Sequence, residues 1–505
     1  MDSLKKRYTY KLLTNLVGLA VNCATQSIIP RGLGPKAYGD FSFLSGFFAD
    51  SLHFLSLGTY VGFYTVLSQR QRDISLAVYY LYFSVVISVV VLCCIPIVHV
   101  SGLYPYIWPD QIPVVIYLAA GLGVIAWINQ VSNGITDAYG LTVDAEQMKI
   151  GQKVAGLVLF AGLFAVGQLN LFNYFYASYI LGLIGILVFL RIAHQYGYAL
   201  VSHWRLTFHQ VTRYSRELYH LCHPLFIFSF VGMCVGVFDR WLLQVYGGSI
   251  QQGMFGLANQ LSAICFIFVS SLTPLLTREF SISFAKNDLQ HMSHMFQRYV
   301  PVLYSVVAYF SCFLAVQAGT IIYLFGGGSY NAALTPVTIM SLYPLYQTYG
   351  QLSGSVLYAT GQTRLYRNIG ILFMLLGLPL TYILIAPYAN NGLDAGATGI
   401  AIKTVVIAGI AVNVQLYFNA RLLKFSFARL LFHQFMSVLC LLGCAVFARQ
   451  TADQWFRLLY KPLWSIGVAG VVYSVMVLCL ACSIPTLFGL SRNDIVGAFE
   501  RIRGL

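Results

Sequence analysis

Mostly apolar stretches of membrane-spanning length, or close to it, follow one another along nearly the whole chain, and positive charges collect in alternate gaps between them. Fourteen such stretches run at 12–30, 41–68, 76–99, 112–135, 154–168, 171–190, 224–247, 254–276, 300–325, 335–359, 369–387, 398–418, 430–448 and 463–484. A helix needs about 20 mostly apolar residues to cross the hydrocarbon core. Backbone polar groups find no water there, so each segment must satisfy its own, which a helix does. The pattern predicts an all-α polytopic membrane protein of about 14 transmembrane helices. Composition agrees: 9% of the 505 residues are charged, against about 25% in soluble domains.

The formal net charge is +14. In a soluble chain that excess would suggest nucleic acid, but its placement points to membrane orientation instead. With the N-terminus cytoplasmic, 23 of the 30 Lys and Arg residues fall in inner segments, and Arg31, Lys36, Arg240, Lys403, Arg449, Arg457 and Lys461 do not. Enrichment of Lys and Arg in cytoplasmic loops is the general rule, so both termini are expected inside and the number of spans even. Eleven cysteines, most of them within spans, read as small apolar packers rather than a disulfide framework. The first apolar run lacks a clean cleavage site and is expected to be retained.

The longest polar stretch, Arg191 to His223, holds four arginines and five histidines (His194, His203, His209, His220, His223). Without cysteine or carboxylate partners at tight spacing they make no metal site, and the stretch reads as a cytoplasmic connector with amphipathic segments on the inner leaflet. It separates two sets of six spans. At a constant offset of 214, Gly34, Gly39, Phe41 and Phe54 match Gly248, Gly253, Phe255 and Phe268, as a parallel duplication would produce. The expected organisation is a six-helix lobe over 1–200, a second over 201–420, and an additional helix pair with a cytoplasmic tail over 421–505.

After the first span comes a tight outer turn, residues 28–41, in which Pro35 fixes one dihedral and Gly34 and Gly39 permit angles that other residues avoid. Arg31, where the first helix ends, is placed to meet an anion or to cap helix carbonyls. Ionisable residues inside spans are rare and are candidates for function. Asp50 and His53 lie three apart in the second span, Asp239 and Arg240 in the outer part of the seventh, and Lys403 in the twelfth. Arg240 and Lys403 read either as cavity cations or as snorkelling, ion-paired structural groups. Asp50 reads either as a hydrogen-bonded buried acid or as a carrier of the coupling proton or cation, and His53 as a gating group or an interhelical hydrogen-bonding one. Aromatic runs such as Tyr79-Tyr80 and Phe172 to Tyr176 fit interfacial belts better than sugar platforms. Gly326-Gly327-Gly328 lacks the flanking strand and Gly-Lys-Ser/Thr of a phosphate loop. The close acidic pair Asp144-x-Glu146 is isolated, and no large extramembrane loop exists, which argues against an embedded polymerase or glycosyltransferase. No metal or other cofactor is expected.

Several of these segments resemble a known family. Arg31-x-Leu33-Gly34-Pro35-x-x-Tyr38-Gly39 is similar to the R-x-L-G-P-x-x-Y-G turn of polysaccharide flippases in the multidrug/oligosaccharidyl-lipid/polysaccharide exporter superfamily. Asp239-Arg240 with Gly253-x-Phe255, Phe325-Gly326 with Tyr330 and Ala333, Ala359-Thr360-Gly361-Gln362, and Gly396-Ala397-Thr398-Gly399-Ile400-Ala401 follow in the family's order. O-antigen-type (Wzx-like) flippases are the relatives suggested. The resemblance implies a bacterial inner-membrane protein that moves a polyprenyl-pyrophosphate-linked oligosaccharide from the cytoplasmic to the periplasmic leaflet by alternating access. It also implies membrane lipids, and in places polysaccharide polymerase machinery, as partners. Arg31, Arg240 and Lys403 are then the substrate-binding candidates, and Asp50, His53 and Asp239 the coupling or gating ones. Span eleven has no Asp or Glu, unlike cation-coupled relatives. A drug or small-solute exporter of the same superfamily is the alternative.

Overall fold

The computed structural model describes residues 4–56, 58–70, 73–198, 206–456 and 462–490. Every apolar run that falls among them is helical, and no strand occurs among the described residues. Backbone contacts divide the chain into two compact units, Met1–Gly253 and Met254–Leu505.

The first unit holds α1 (Leu4–Leu55), α2 (Thr59–Gln69), α3 (Ile74–Val100), the short α4 (Tyr104–Ile107), α5 (Pro113–Ala138), α6 (Thr142–Ala165), α7 (Leu171–Gln195) and most of α8 (Phe208–Cys265). Local chemistry starts these helices. Asp73 caps α3 by accepting the Leu76 N–H at 3.1 Å, Asn170 caps α7 through Asn173 N–H at 2.9 Å, and Pro113 opens α5. The core of the unit is aromatic and β-branched, with Phe63 stacked on Tyr80 at 4.0 Å and Phe43, Phe48 and Phe175 fully enclosed.

Two long helices in this unit are bent at a single residue each. Gly34 (φ 73°, ψ 170°) interrupts α1 and Gly248 (φ 65°, ψ −174°) interrupts α8. These left-handed values strain any residue with a Cβ, so glycine is required at both. The two bends are 214 residues apart, the offset of the sequence repeat. Beyond each bend the helices cross without side chains between them. A Cβ on Gly39 would overlap the Ser249 carbonyl, and one on Gly253 would overlap that of Pro35. Those two contacts interchange under the same offset.

The polar connector is helical from Phe208 onward and packs on the loop before α3. Arg70 makes two hydrogen bonds to Glu217 at 2.8 and 3.1 Å, Tyr214 donates to Asp73 at 2.9 Å, and Tyr79 bonds Ser215 at 2.7 Å. Loss of solvation and the neighbouring Asp73 carboxylate push the Tyr214 phenol up to about 12. His203 and Arg205 of the connector, like Arg457, Lys461 and the arginines after 490, lie outside the described residues.

The second unit continues from the end of α8 through α9 (Ile267–Ala285), α10 (Leu289–Val316), α11 (Ala318–Gly326), α12 (Leu334–Met340), α13 (Tyr343–Ala359), α14 (Thr363–Ile385), α15 (Gly396–Leu423), α16 (Phe427–Phe456) and α17 (Pro462–Ser483), then a 3-10 turn, Pro485–Phe488. Its core gathers Phe280, Phe296, Tyr304, Tyr349 and Tyr473.

Ten helices among the described residues are long and apolar enough to cross a membrane by length and composition. The fourteen apolar stretches divide differently because bends and breaks do not follow apolar runs. The stretch at 41–68 is shared between α1 and α2, that at 300–325 between α10 and α11, and that at 335–359 between α12 and α13. The stretch at 224–247 falls largely within the apolar length of α8, Phe226–Cys265, and that at 254–276 is shared between α8 and α9.

Candidate functional site

In the first unit α1 beyond its bend runs antiparallel to α8 before its own. Arg240 lies across Gly46, where a Cβ would stand 2.5 Å from its guanidinium carbon. One turn further along α1, Asp50 lies across Gly236, where a Cβ would stand 3.1 Å from Oδ2. Each charged side chain thus occupies space that a glycine on the facing helix leaves open, and each glycine sits one turn from the other charge. Arg240 Nη1 donates to the Ser42 carbonyl at 2.8 Å. Asp50 and Asp239 both stabilise the guanidinium electrostatically. A hydrogen bond to a neutral carbonyl and the attraction of two carboxylates together hold the guanidinium between the helices.

His53, one turn beyond Asp50, is exposed on α1 and meets Trp127 of α5 edge to face at 5.9 Å. The two residues line a largely apolar cavity of about 270 Å³ between α1 and α5. Shortly beyond Asp50, at Leu55, the helix stops. Ser56 Oγ donates to the His53 carbonyl at 2.7 Å, Thr59 Oγ1 bonds the Tyr80 hydroxyl at 3.0 Å, and Gly58 takes a left-handed conformation. Hydroxyls thus satisfy backbone groups freed where an apolar stretch is broken.

Sequence reasoning missed a polar knot next to this pair. Asp40 accepts from Gln111 Nε2 at 2.8 Å and from the Ser249 hydroxyl. Gln244 Nε2 reaches Ser249 Oγ at 3.1 Å and the Pro109 carbonyl at 3.2 Å, while Gln252 donates to the Arg240 carbonyl. The knot fixes α8 against α1 and so sets where Arg240 sits. Lys153 was also missed as an intramembrane cation. It belongs to α6, and its ammonium lies 2.6 Å from where a Cβ on Gly18 would be. The Asp144-x-Glu146 pair resolves into separate contacts: Tyr196 donates to Asp144 at 2.7 Å, and Lys149 bonds buried Glu146 at 3.0 Å. Arg31 stands exposed in the last helical turn before Gly34, where a cation suits the helix dipole.

In the second unit Lys403 is 6% exposed on α15. It passes Gly377 of α14, where a Cβ would stand 2.8 Å from Cε and 3.4 Å from Nζ. The small residues opening α15 let it close on α14: a Cβ on Gly399 would reach the Leu384 carbonyl at 3.0 Å. Tyr330 is fully enclosed against Gly326. Gly361 turns the chain with φ 71°. The motif residues therefore build turns and crossings, and the charges sit beside them. No group of three or more His, Cys, Asp or Glu able to hold a metal occurs among the described residues.

No family model matches the sequence. No curated protein matches it either. Solved structures do match. The lipid II flippase MurJ, in an inward closed conformation, superposes with a TM-score of 0.63 at 11% identity, covering 95% of this chain and 99% of that one. An inward-facing multidrug resistance MATE transporter of the MOP superfamily gives 0.58 at 15% identity over 80% of this chain and 95% of its own. A MOP-superfamily transporter from Pyrococcus furiosus gives 0.54 at 16% identity over 84% and 97%. The chain has the fold of MOP-superfamily transporters and flippases, and these neighbours are not enzymes.

Proposed function

We propose that this protein is a flippase of the bacterial inner membrane, with both termini cytoplasmic. It carries a polyprenyl-pyrophosphate-linked oligosaccharide, the repeat unit of O-antigen or another surface polysaccharide, from the cytoplasmic to the periplasmic leaflet by alternating access. The observation that supports this reading is Arg240, a partly buried guanidinium in the α1–α8 pair, held by a neutral carbonyl and attracted by Asp50 and Asp239. A pyrophosphate and its sugars cannot enter hydrocarbon without compensation, and a cation inside a bundle is what such a headgroup needs. Lys403 and Arg31 are the further contacts to the anionic headgroup or sugar. Asp50, Asp239 and His53 gate or couple the cycle by changing how strongly Arg240 is held.

A strain lacking the protein should accumulate lipid-linked repeat units on the cytoplasmic face and lose surface glycan. Arg240→Ala and Lys403→Ala should impair surface glycan while the variants remain in the membrane at normal level. Wild-type glycan in both variants would reject the assignment. The second reading, a drug or small-solute exporter, draws on the likeness in fold to the MATE transporter. Altered drug susceptibility in the deletion strain, with normal glycan, would select it.

A further inference from the structure

We propose that the polar knot where α1, α8 and the loop before α5 meet is a binding site for an alkali metal cation, apart from Arg240 and Lys403 and independent of the transport reading. The crossing beyond the two bends builds it. Gly39 lies so close to α8 that an added Cβ would overlap the Ser249 carbonyl, and the next residue, Asp40, thereby meets the Ser249 hydroxyl. Gln111 Nε2 reaches the same pair from the loop, at 2.8 Å to Asp40 Oδ1 and 3.4 Å to Ser249 Oγ. Gln244 Nε2 reaches Ser249 Oγ at 3.1 Å and the Pro109 carbonyl at 3.2 Å. Trp241 Nε1 donates to the Tyr106 carbonyl at 2.7 Å and pins the chain before that loop.

What the knot lacks is donors. Gln111 is 6% exposed and Gln244 fully buried, and the Oε1 of each has no hydrogen-bond partner among the described residues. The amides cannot be turned over. Each nitrogen faces an oxygen that only accepts, the Asp40 carboxylate or the Pro109 carbonyl, so a flip would set acceptor against acceptor. Oxygen and nitrogen of one amide are about 2.2 Å apart, which keeps both unpartnered oxygens within about 6 Å of Ser249 Oγ. Asp40 takes both of its bonds on Oδ1, from neutral donors, and among the described residues Oδ2 takes none. Gln252, one turn on from Ser249, adds a third buried amide oxygen without a partner among them, its nitrogen being turned to the Arg240 carbonyl. Buried acceptors without donors are rare and costly. A water has only two protons to give, whereas a hard cation draws on several oxygens at once, carboxylate and amide carbonyl alike. One carboxylate among neutral oxygens suits a single positive charge better than a divalent ion, whose tighter sites carry more ligand charge.

The full-length protein in uncharged detergent is titrated with radioactive sodium, choline holding the ionic strength constant, and its melting temperature is followed in sodium and in choline. The native protein should bind a single sodium ion saturably and melt higher in sodium. Asp40→Asn puts an N–H where the spare carboxylate oxygen stands, and should weaken binding roughly tenfold or more and abolish the sodium-dependent rise. Gln244→Met removes one amide oxygen and keeps the carboxylate, so it should weaken binding several-fold, and it decides the matter if Asp40→Asn fails to fold. Asp394→Asn removes the same charge from an exposed loop position of the second unit and should bind sodium as the native protein does. A lower melting temperature in choline reports the lost hydrogen bonds, and the sodium-dependent increment reports the ion. Absence of saturable sodium binding, or equal binding by the native, Asp40→Asn and Gln244→Met proteins, would overturn the proposal and leave the oxygens to water. Sodium binding lost in Asp50→Asn but kept in Asp40→Asn would overturn it too, by placing the ion at the other acid.

Discussion

Arg240 and Asp50 illustrate how a charge survives inside an apolar bundle. Neither is tied by a direct bridge to the other. Each fills the gap over a facing glycine, and the two fields overlap. Removing either should leave the other less favourably placed, so their losses should not add. Arg240→Gln and Asp50→Asn, measured singly and together by thermal denaturation in detergent, should show a coupling of roughly 1 kcal/mol, with the double variant less destabilised than the sum. Strictly additive losses would mean that the two charges do not sense one another. The sequence made both residues candidates, because an ionisable group in an apolar run stands out. It could not reveal Gly46 and Gly236 as their seats, since glycine is abundant here and a facing partner is a tertiary fact. Nor could it find the Asp40, Gln111, Gln244 and Ser249 knot, whose members come from segments far apart in the chain.

Helix existence was legible at the scale of elements, because length and apolarity suffice to force a helix in hydrocarbon. Breaks were less so. Gly34-Pro35 announces a turn through fixed dihedrals, and the structure bends at Gly34. The interruption at Ser56 to Gly58 lies in an apolar stretch with no proline, and only the Ser56 and Thr59 hydroxyl bonds explain why it is tolerated. Lys153 was read as part of a loop because the start of α6 is polar, although the helix already runs from Thr142. The reciprocal crossing gives a test of its own. Gly39→Ala and Gly253→Ala each drive a Cβ into a backbone carbonyl, which has no rotamer with which to yield. Each should destabilise by about 1–3 kcal/mol or more, and by similar amounts, because the two contacts are equivalent. Gly443→Ala on α16, where nothing lies within 4 Å of the added atom, should be neutral or slightly stabilising. Unequal melting shifts for the first two would undo the equivalence.

Orientation in the bilayer belongs to the whole molecule, and no single residue decides it. With the N-terminus inside, 23 of 30 basic residues fall in the inner gaps between the apolar stretches or, like Lys153, at the edge of one. Moving Lys or Arg across a membrane is costly, and an anionic inner leaflet retains them. The opposite orientation would place those same 23 on the outer side. The loop before α10 and the loop before α15 make the choice measurable, since Asn287 and Asn391 are both exposed. Single cysteines at these two positions, in a background without the eleven native ones, should react differently with a membrane-impermeant maleimide in intact cells. The cysteine replacing Asn391 should label from outside, and the one replacing Asn287 only after the membrane is opened. The reverse pattern would turn the protein over, and with it the direction of the transport proposed above.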